Sequence, residues 1–339
     1  MNVARRTVLG SLLAAPAIIT AKSARAEAHT LKISHQFPGG TIDQGDFRDR
    51  MVRIFARDVA AATNNELAFE IYPGSSLMKT VAQFSALRRG ALDFSAYPLA
   101  YAGGEVPEVN IGLMPCLVST YEQGMAWKTS AVGQKLAEIL DAKGIKILTW
   151  VWQAGGVASR AGMIVEPNDT KGLKVRGGSR EMDLMLKSSG AIISSVTSEE
   201  IYASMQTGTL DAAVTSSTSL ISFRLNEISK NVTTGRQGSF WFMFEPLLMS
   251  KAIYDGLPAA HQKAISEVGT KLEAFALQNA KADDDKLAEI YTKAGVKVGD
   301  FNTAALAKWK AIAQETAWAD YAKRNESCAA LLKLAEAVA

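Results

Sequence analysis

At 339 residues, 48% of them hydrophobic, the chain is long enough for two packed cores and too apolar to stay disordered. Its formal charge is +3, but Arg5, Arg6, Lys22 and Arg25 fall in the first 26 residues with no acid among them, so the remainder carries −1 (3 − 4). A near-neutral body offers no basic footprint for a phosphate backbone, which argues against nucleic acid as a partner.

Residues 1–26 read as an export signal. Arg5-Arg6 gives a charged start, Val8 to Ile19 an apolar run, and Ala24-Arg25-Ala26 a small-x-small cleavage site, with cleavage expected after Ala26. The order Arg5-Arg6-Thr7-Val8-Leu9 fits either a twin-arginine or an ordinary secretory signal. The run is shorter than the roughly 20 residues that span a bilayer, so direct membrane insertion is not expected and a periplasmic location is. Cys116 and Cys328 are far apart in sequence; they could close one long loop or stay unpaired in the core, and the size of the chain favours the unpaired reading.

In chain order, Leu31 to Ser34 is a short strand. Gln44 to Thr63 places Phe47, Met51, Ile54, Phe55 and Val59 at helical spacing, and Leu67 to Tyr72 alternates as a strand that stops at Pro73-Gly74. Thr80 to Arg89 is a helix ended by Gly90, Ala91 to Ala96 a third strand, Tyr121 to Lys143 helical, and Lys146 to Trp152 a strand. A second α/β region runs from Gly155 to Arg236, with strands at Leu173 to Arg176, Ala191 to Ser194 and Asp211 to Thr215. Phe240 to Ser250 is an apolar strand carrying the chain back, and Pro258 onward is almost wholly helical, with a long helix from His261 to about Tyr291.

Alternating strand and helix imply parallel sheets with helices on both faces, and two crossings between regions imply a hinge with a cleft. The expected fold is therefore α/β, a two-lobe binding-protein architecture of type II-like form, with the long helix spanning both lobes. Residues 27–152 with about 245–285 would form the first lobe, 153–244 the second, and 286–339 a helical segment packing on both.

In open sheets of this kind ligands sit beyond the carboxyl ends of strands. That rule singles out Gln36 and Phe37 after the first strand, Tyr97 after the third, Trp152 or Gln153 at the end of the Lys146 strand, and Thr215 and Ser216 after Asp211. Arg176 ends the strand Leu173 to Arg176, and Gly177-Gly178 behind it leaves room for close approach. An arginine held there is a planar fork for a carboxylate. From the cluster Phe240-Trp241-Phe242, either Trp241 or Phe240 is expected to wall the site. The histidines are scattered at 29, 35 and 261, and no nucleophile elbow, metal motif or phosphate-cradling loop is present, so neither catalysis nor a cofactor or metal is expected.

Several segments, spread over most of the chain, resemble one family. They are Leu31-Lys-Ile-Ser-His-Gln36, Tyr72-Pro-Gly74, Leu87-Arg-Arg-Gly-Ala-Leu-Asp93, Met114-Pro-Cys-Leu117, Lys171-Gly-Leu-Lys-Val-Arg176 and Glu200-Ile-Tyr-Ala-Ser-Met-Gln-Thr-Gly-Thr-Leu-Asp211. The family is the DctP-type solute-binding proteins of tripartite ATP-independent periplasmic (TRAP) transporters. The resemblance implies a receptor that closes on an organic acid and delivers it to integral membrane subunits, with Arg176 gripping the carboxylate. Many members carry a second arginine about twenty residues earlier, where this chain has Gly155-Gly156, and Arg160 or Lys79 would have to replace it. One strong cation with aromatic walls favours an aromatic or small 2-oxo or 2-hydroxy monocarboxylate. A sugar acid or C4-dicarboxylate is the alternative, as is a sensor of the same fold serving a signalling kinase.

Overall fold

The computed structural model describes residues 29–338. The export signal expected over 1–26 lies outside the described residues. Two sheets form, each with helices on its faces, and the cleft lies between them.

The strands of the first sheet are β1 (His29–Ser34), β2 (Leu67–Tyr72), β3 (Phe94–Ala96), β4 (Ile145–Thr149) and, from much later in the chain, β11 (Leu247–Ser250), in the order β2-β1-β3-β11-β4. The second sheet takes β5 (Trp152–Ser159), β6 (Lys174–Arg176), β7 (Ile192–Ile193), β8 (Ala212–Ser216), β9 (Asn231–Thr234) and β12 (Lys297–Asp300), in the order β12-β9-β5-β8-β6-β7, with β10 (Phe242–Phe244) paired to β5. The βαβ strands are parallel as expected: β1 with β2 and β3, and β6 with β7 and β8. The strands that carry the chain between lobes are antiparallel to their neighbours, β11 to β3 and β4, and β5 to β8 and β9. A strand that enters from the hinge must run opposite to strands that end at it, so both sheets are mixed.

Two apolar runs that read as single strands are each cut in two by the hinge. Lys146 to Trp152 divides into β4 and β5 around Trp150-Val151, and Phe240 to Ser250 into β10 and β11 around Glu245-Pro246. The two crossings lie side by side, with the Glu245 amide donating to the Val151 carbonyl at 2.9 Å and the Tyr97 amide to that of Pro246 at 3.0 Å. Period-two alternation is the same on both sides of a crossing, so sequence pattern alone does not reveal where the chain changes sheets. The helix expected over Tyr121 to Lys143 is likewise two helices, Tyr121–Ala126 and Ala131–Ala142, with a 3₁₀ turn between.

The helix Ala259–Lys293 is a beam across both lobes. On the first-lobe side, its Gly269 carbonyl accepts from Thr149 Oγ1 and its Glu273 from the Trp150 amide. On the second-lobe side, Asp283 accepts from Thr218 and Tyr291 donates to the Leu220 carbonyl. The helix Phe47–Ala62 seals the first sheet with Phe47, Met51, Val52, Phe55 and Val59, each burial contributing roughly 1.5–3 kcal/mol. Cys116 and Cys328 are separate, buried thiols, and burial pushes both up, to about 12 and about 11.

Candidate functional site between the lobes

Arg176 ends β6 with only 1% of its surface exposed. Its Nε donates to the Val196 carbonyl at 3.0 Å and its Nη1 to that of Val214 at 2.8 Å, so backbone from two neighbouring segments fixes the plane of the fork. Its Nη2 donates to the Tyr101 hydroxyl at 2.7 Å and to Ser198 Oγ at 3.3 Å. A guanidinium carries five N–H groups, which leaves one Nη1 hydrogen beyond these four bonds. Gly178, at φ +97°, lies so close that a Cβ there would stand 2.7 Å from Nη1. Asp183 braces the same loop, accepting from the Gly177 amide and Ser195; burial pushes its carboxyl up to about 6 against the pull of Arg176.

The first lobe contributes polar atoms that no protein group satisfies. Both amide atoms of Gln36 and the hydroxyl of Tyr97 are buried without a hydrogen-bond partner, at the ends of the neighbouring strands β1 and β3. Gln153 Oε1 is in the same condition at the hinge, while its Nε2 donates to Glu245. Buried polar atoms are rarely left unpaired, because each costs about 1–3 kcal/mol. Gln36 and Tyr97 stand just beyond the carboxyl ends of parallel strands, where sheets of this kind take ligands.

Trp241 reaches this region from the second lobe. Its indole N–H donates to the Gly177 carbonyl at 3.2 Å, and its ring lies where a side chain at 155 would go. A Cβ on Gly155 would stand 2.4 Å from both Trp241 Cε3 and the Thr215 carbonyl. The indole and backbone therefore occupy the place from which an arginine could have projected. Gly155→Ala should be overpacked by about 1–3 kcal/mol and displace Trp241; thermal unfolding checks this, and an unchanged melting temperature would count against it.

A second buried cation was not read from the sequence. Arg48, 1% exposed, pairs with Asp46 at 2.6 Å and with Glu245 at 2.9 Å, and donates to Ser219 at 3.1 Å and Ser216 at 3.4 Å across the lobes. Its guanidinium lies 3.7 Å above the Phe37 ring, so Phe37 is a platform for this cation. Burial raises the Glu245 carboxyl, with Arg48 opposing. The missed signal was local: in the helix Phe47–Ala62, Arg48 shares the buried face with Met51, Val52, Phe55 and Val59. A charge in such a stripe needs a buried partner.

Of the residues expected at the site, Trp241 donates to the residue after Arg176, Gln36 and Tyr97 follow the neighbouring strands β1 and β3, Gln153 donates to Glu245 at the hinge, and Thr215 and Ser216 end β8. Ser216 is engaged with Arg48 and caps the following helix. Two others lie elsewhere. Trp152 is packed into the hinge between Trp127 and Phe244, at centroid distances of 5.0 and 5.2 Å, because β5 begins there instead of a strand ending. Phe240, ahead of β10, faces Phe301 and Trp309, at 4.9 and 4.8 Å, whereas Trp241 reaches the Gly177 carbonyl. Arg160 follows the far end of β5, its amide bonded to the Asp211 carbonyl, so it stands at the edge of the second sheet away from the hinge. Among the described residues no cluster of three or more His, Cys, Asp or Glu is placed to hold a metal ion, and no helix is long and apolar enough to cross a membrane.

Known proteins share this fold. A TRAP periplasmic solute-binding protein from Rhodoferax ferrireducens, solved with bound malonate, is 60% identical and superposes with a TM-score of 0.90 over 91% of this chain and 98% of its own. The C4-dicarboxylate-binding periplasmic protein DctP of Rhodobacter capsulatus is 27% identical over 295 residues, 86% of each chain. A Bordetella pertussis extracytoplasmic solute receptor, 21% identical, has the same fold, with a TM-score of 0.81 over 91% of this chain and 99% of its own. The model of the bacterial extracellular solute-binding proteins, family 7 (DctP), matches residues 42–324, spanning both sheets, the hinge and Arg176, and with the 60% identity it places this chain in that family of TRAP periplasmic receptors.

Proposed function

We propose that the protein is the periplasmic receptor of a TRAP transporter for a short-chain organic acid of about the size of malonate, held by Arg176 and handed to integral membrane subunits without chemical change. The observation that supports this reading is the buried guanidinium of Arg176, bonded across the cleft to Tyr101, together with the unpaired polar atoms of Gln36, Tyr97 and Gln153. The charge of Arg176 and its one remaining N–H suit one carboxylate, and amide and hydroxyl groups suit the rest of a small polar acid. The malonate complex of the 60% identical relative supports the size class. Lys79 and Arg48 bear on whether a second carboxylate is held. Arg48 is already paired with two acids, so its charge is largely spent inside the protein.

Purified protein should be heated with and without malonate, small 2-oxo and 2-hydroxy acids, C4-dicarboxylates and neutral sugars. A true ligand at a hundredfold excess over its Kd should stabilise by about 2.7 kcal/mol. The expected hits are small carboxylates. If neutral sugars alone stabilise, the carboxylate reading fails.

A further inference from the structure

Tyr101 reaches from the first lobe to the second. It belongs to the 3₁₀ helix Leu99–Gly104, and its hydroxyl accepts from Arg176 Nη2 at 2.7 Å and from the Ser198 amide at 3.0 Å, while lying 3.0 Å from Ser198 Oγ. The other hydrogen bonds of the guanidinium, to the carbonyls of Val196 and Val214 and to Ser198, stay within the second lobe. Arg176 therefore gains its last protein partner only when the lobes meet.

A second residue of the first lobe meets the same turn. Ser75 Oγ donates to Glu199 Oε2 at 2.5 Å, and Ser198 and Glu199 are consecutive in the short 3₁₀ turn Ser198–Glu200. Both sides of this contact are ordered in advance. Ser75 sits at φ +57°, a left-handed conformation that a non-glycine residue keeps only where its surroundings impose it. Here the Ser75 amide donates to the His35 carbonyl and the Gly74 amide to that of Phe37, each at 2.9 Å. Opposite, the Glu200 carboxylate accepts from the Thr197 amide and hydroxyl at 2.8 and 2.7 Å, which fixes the start of the turn. Groups already ordered lose little freedom on meeting, so their bonds favour closure more than bonds between mobile side chains would. Tyr101 and Glu199 both line a cavity of about 500 Å³ bordered by residues of the two lobes, which places the contact on the cleft.

We propose that Tyr101 and Ser75, closing on the Ser198–Glu200 turn, are the clasp of the receptor, and that Tyr101 is a positioning residue that completes the setting of Arg176 in the closed form alone. The inference rests on the reading of the protein as a receptor that closes on a small acid. Because the clasp forms after the acid has entered, it slows release and leaves entry almost unchanged. Closure and grip then favour each other, since each is stronger in the presence of the other.

Stopped-flow tryptophan fluorescence of the intact protein with malonate tests this. Tyr101→Phe keeps the ring and removes the hydroxyl; dissociation should quicken about tenfold, with association changed by less than about threefold. Ser75→Ala leaves every bond of Arg176 in place and should quicken dissociation by roughly three- to tenfold. Glu199→Gln keeps an acceptor for Ser75 and should release malonate at close to the wild-type rate. Ligand-free melting and circular dichroism accompany each variant, and a folded Ser75→Ala protein decides the matter even where Tyr101→Phe is unstable. If the loss of affinity lies in association, if Ser75→Ala releases malonate as slowly as the wild type, or if Glu199→Gln releases it as fast as Ser75→Ala, the clasp is overturned while the carboxylate reading stands. A wild type to which malonate does not bind, as judged by calorimetry, overturns both.

Discussion

Arg176→Ala should weaken binding of the cognate acid by about 2–5 kcal/mol, roughly 30-fold to several thousand-fold in Kd, because truncation leaves a buried carboxylate without its cation. Calorimetry on the variant measures the loss. Arg176→Lys should recover only part of it. An ammonium cannot reproduce the Nε and Nη1 bonds to the carbonyls of Val196 and Val214 that hold the guanidinium in plane and aim its remaining Nη1 hydrogen. Folding is a separate matter, so ligand-free melting of both variants is the companion measurement. If Arg176→Ala binds the acid as well as the wild type does, the anchor lies elsewhere.

Arg48→Met should be the most destabilising single change in the hinge. It leaves Asp46 and Glu245 buried without a counter-charge, at a cost of about 3–5 kcal/mol. For a chain of this size that lowers the melting temperature by roughly 10 °C. The loss should depend on pH in a definite direction. The folded-state pKa of Glu245 is already raised by burial, and loss of Arg48 raises it further. Above the unfolded pKa the folded chain then binds more protons than the unfolded one, so stability falls as pH rises through the folded value. Thermal melting should therefore show a larger deficit at pH 8 than at pH 5. Adding Glu245→Met should return part of the stability, since it removes the orphaned charge that Arg48→Met creates. A deficit that is the same at both pH values would show that Glu245 is not the group in question.

The contrast between these two arginines explains how much of the site was legible. Arg176, Gln36 and Tyr97 could be named as candidates because a strand's end is visible in sequence, and the end of a strand is where such folds bind. Arg48 lies at the start of a helix far from any motif, and its role depends on Glu245, nearly two hundred residues away, which local pattern does not connect to it. Trp152 is a candidate with Gln153 because its strand reads as ending there, whereas the hinge divides that run and packs Trp152 in the hinge core; Phe240 is a candidate with Trp241 from one aromatic cluster, and it faces the C-terminal helices. Strand β12 was missed altogether, since Lys297–Asp300 is short, contains a glycine and sits amid strong helical pattern. It is held by parallel pairing with β9, a long-range contact.

The position of β11 in the first sheet has a consequence for how the molecule is made. That strand lies between β3 and β4, yet residues 150–246, with most of the second lobe, intervene between β4 and β11 in the chain. Until residue 250 is available, β3 and β4 have no central partner, and their exposed edges stay open to wrong pairing. The second sheet in turn waits for β12 at residues 297–300. Neither lobe can therefore be completed as the chain emerges from the ribosome. With its closing contacts so distant in sequence, the topology is of the kind that folds late and slowly.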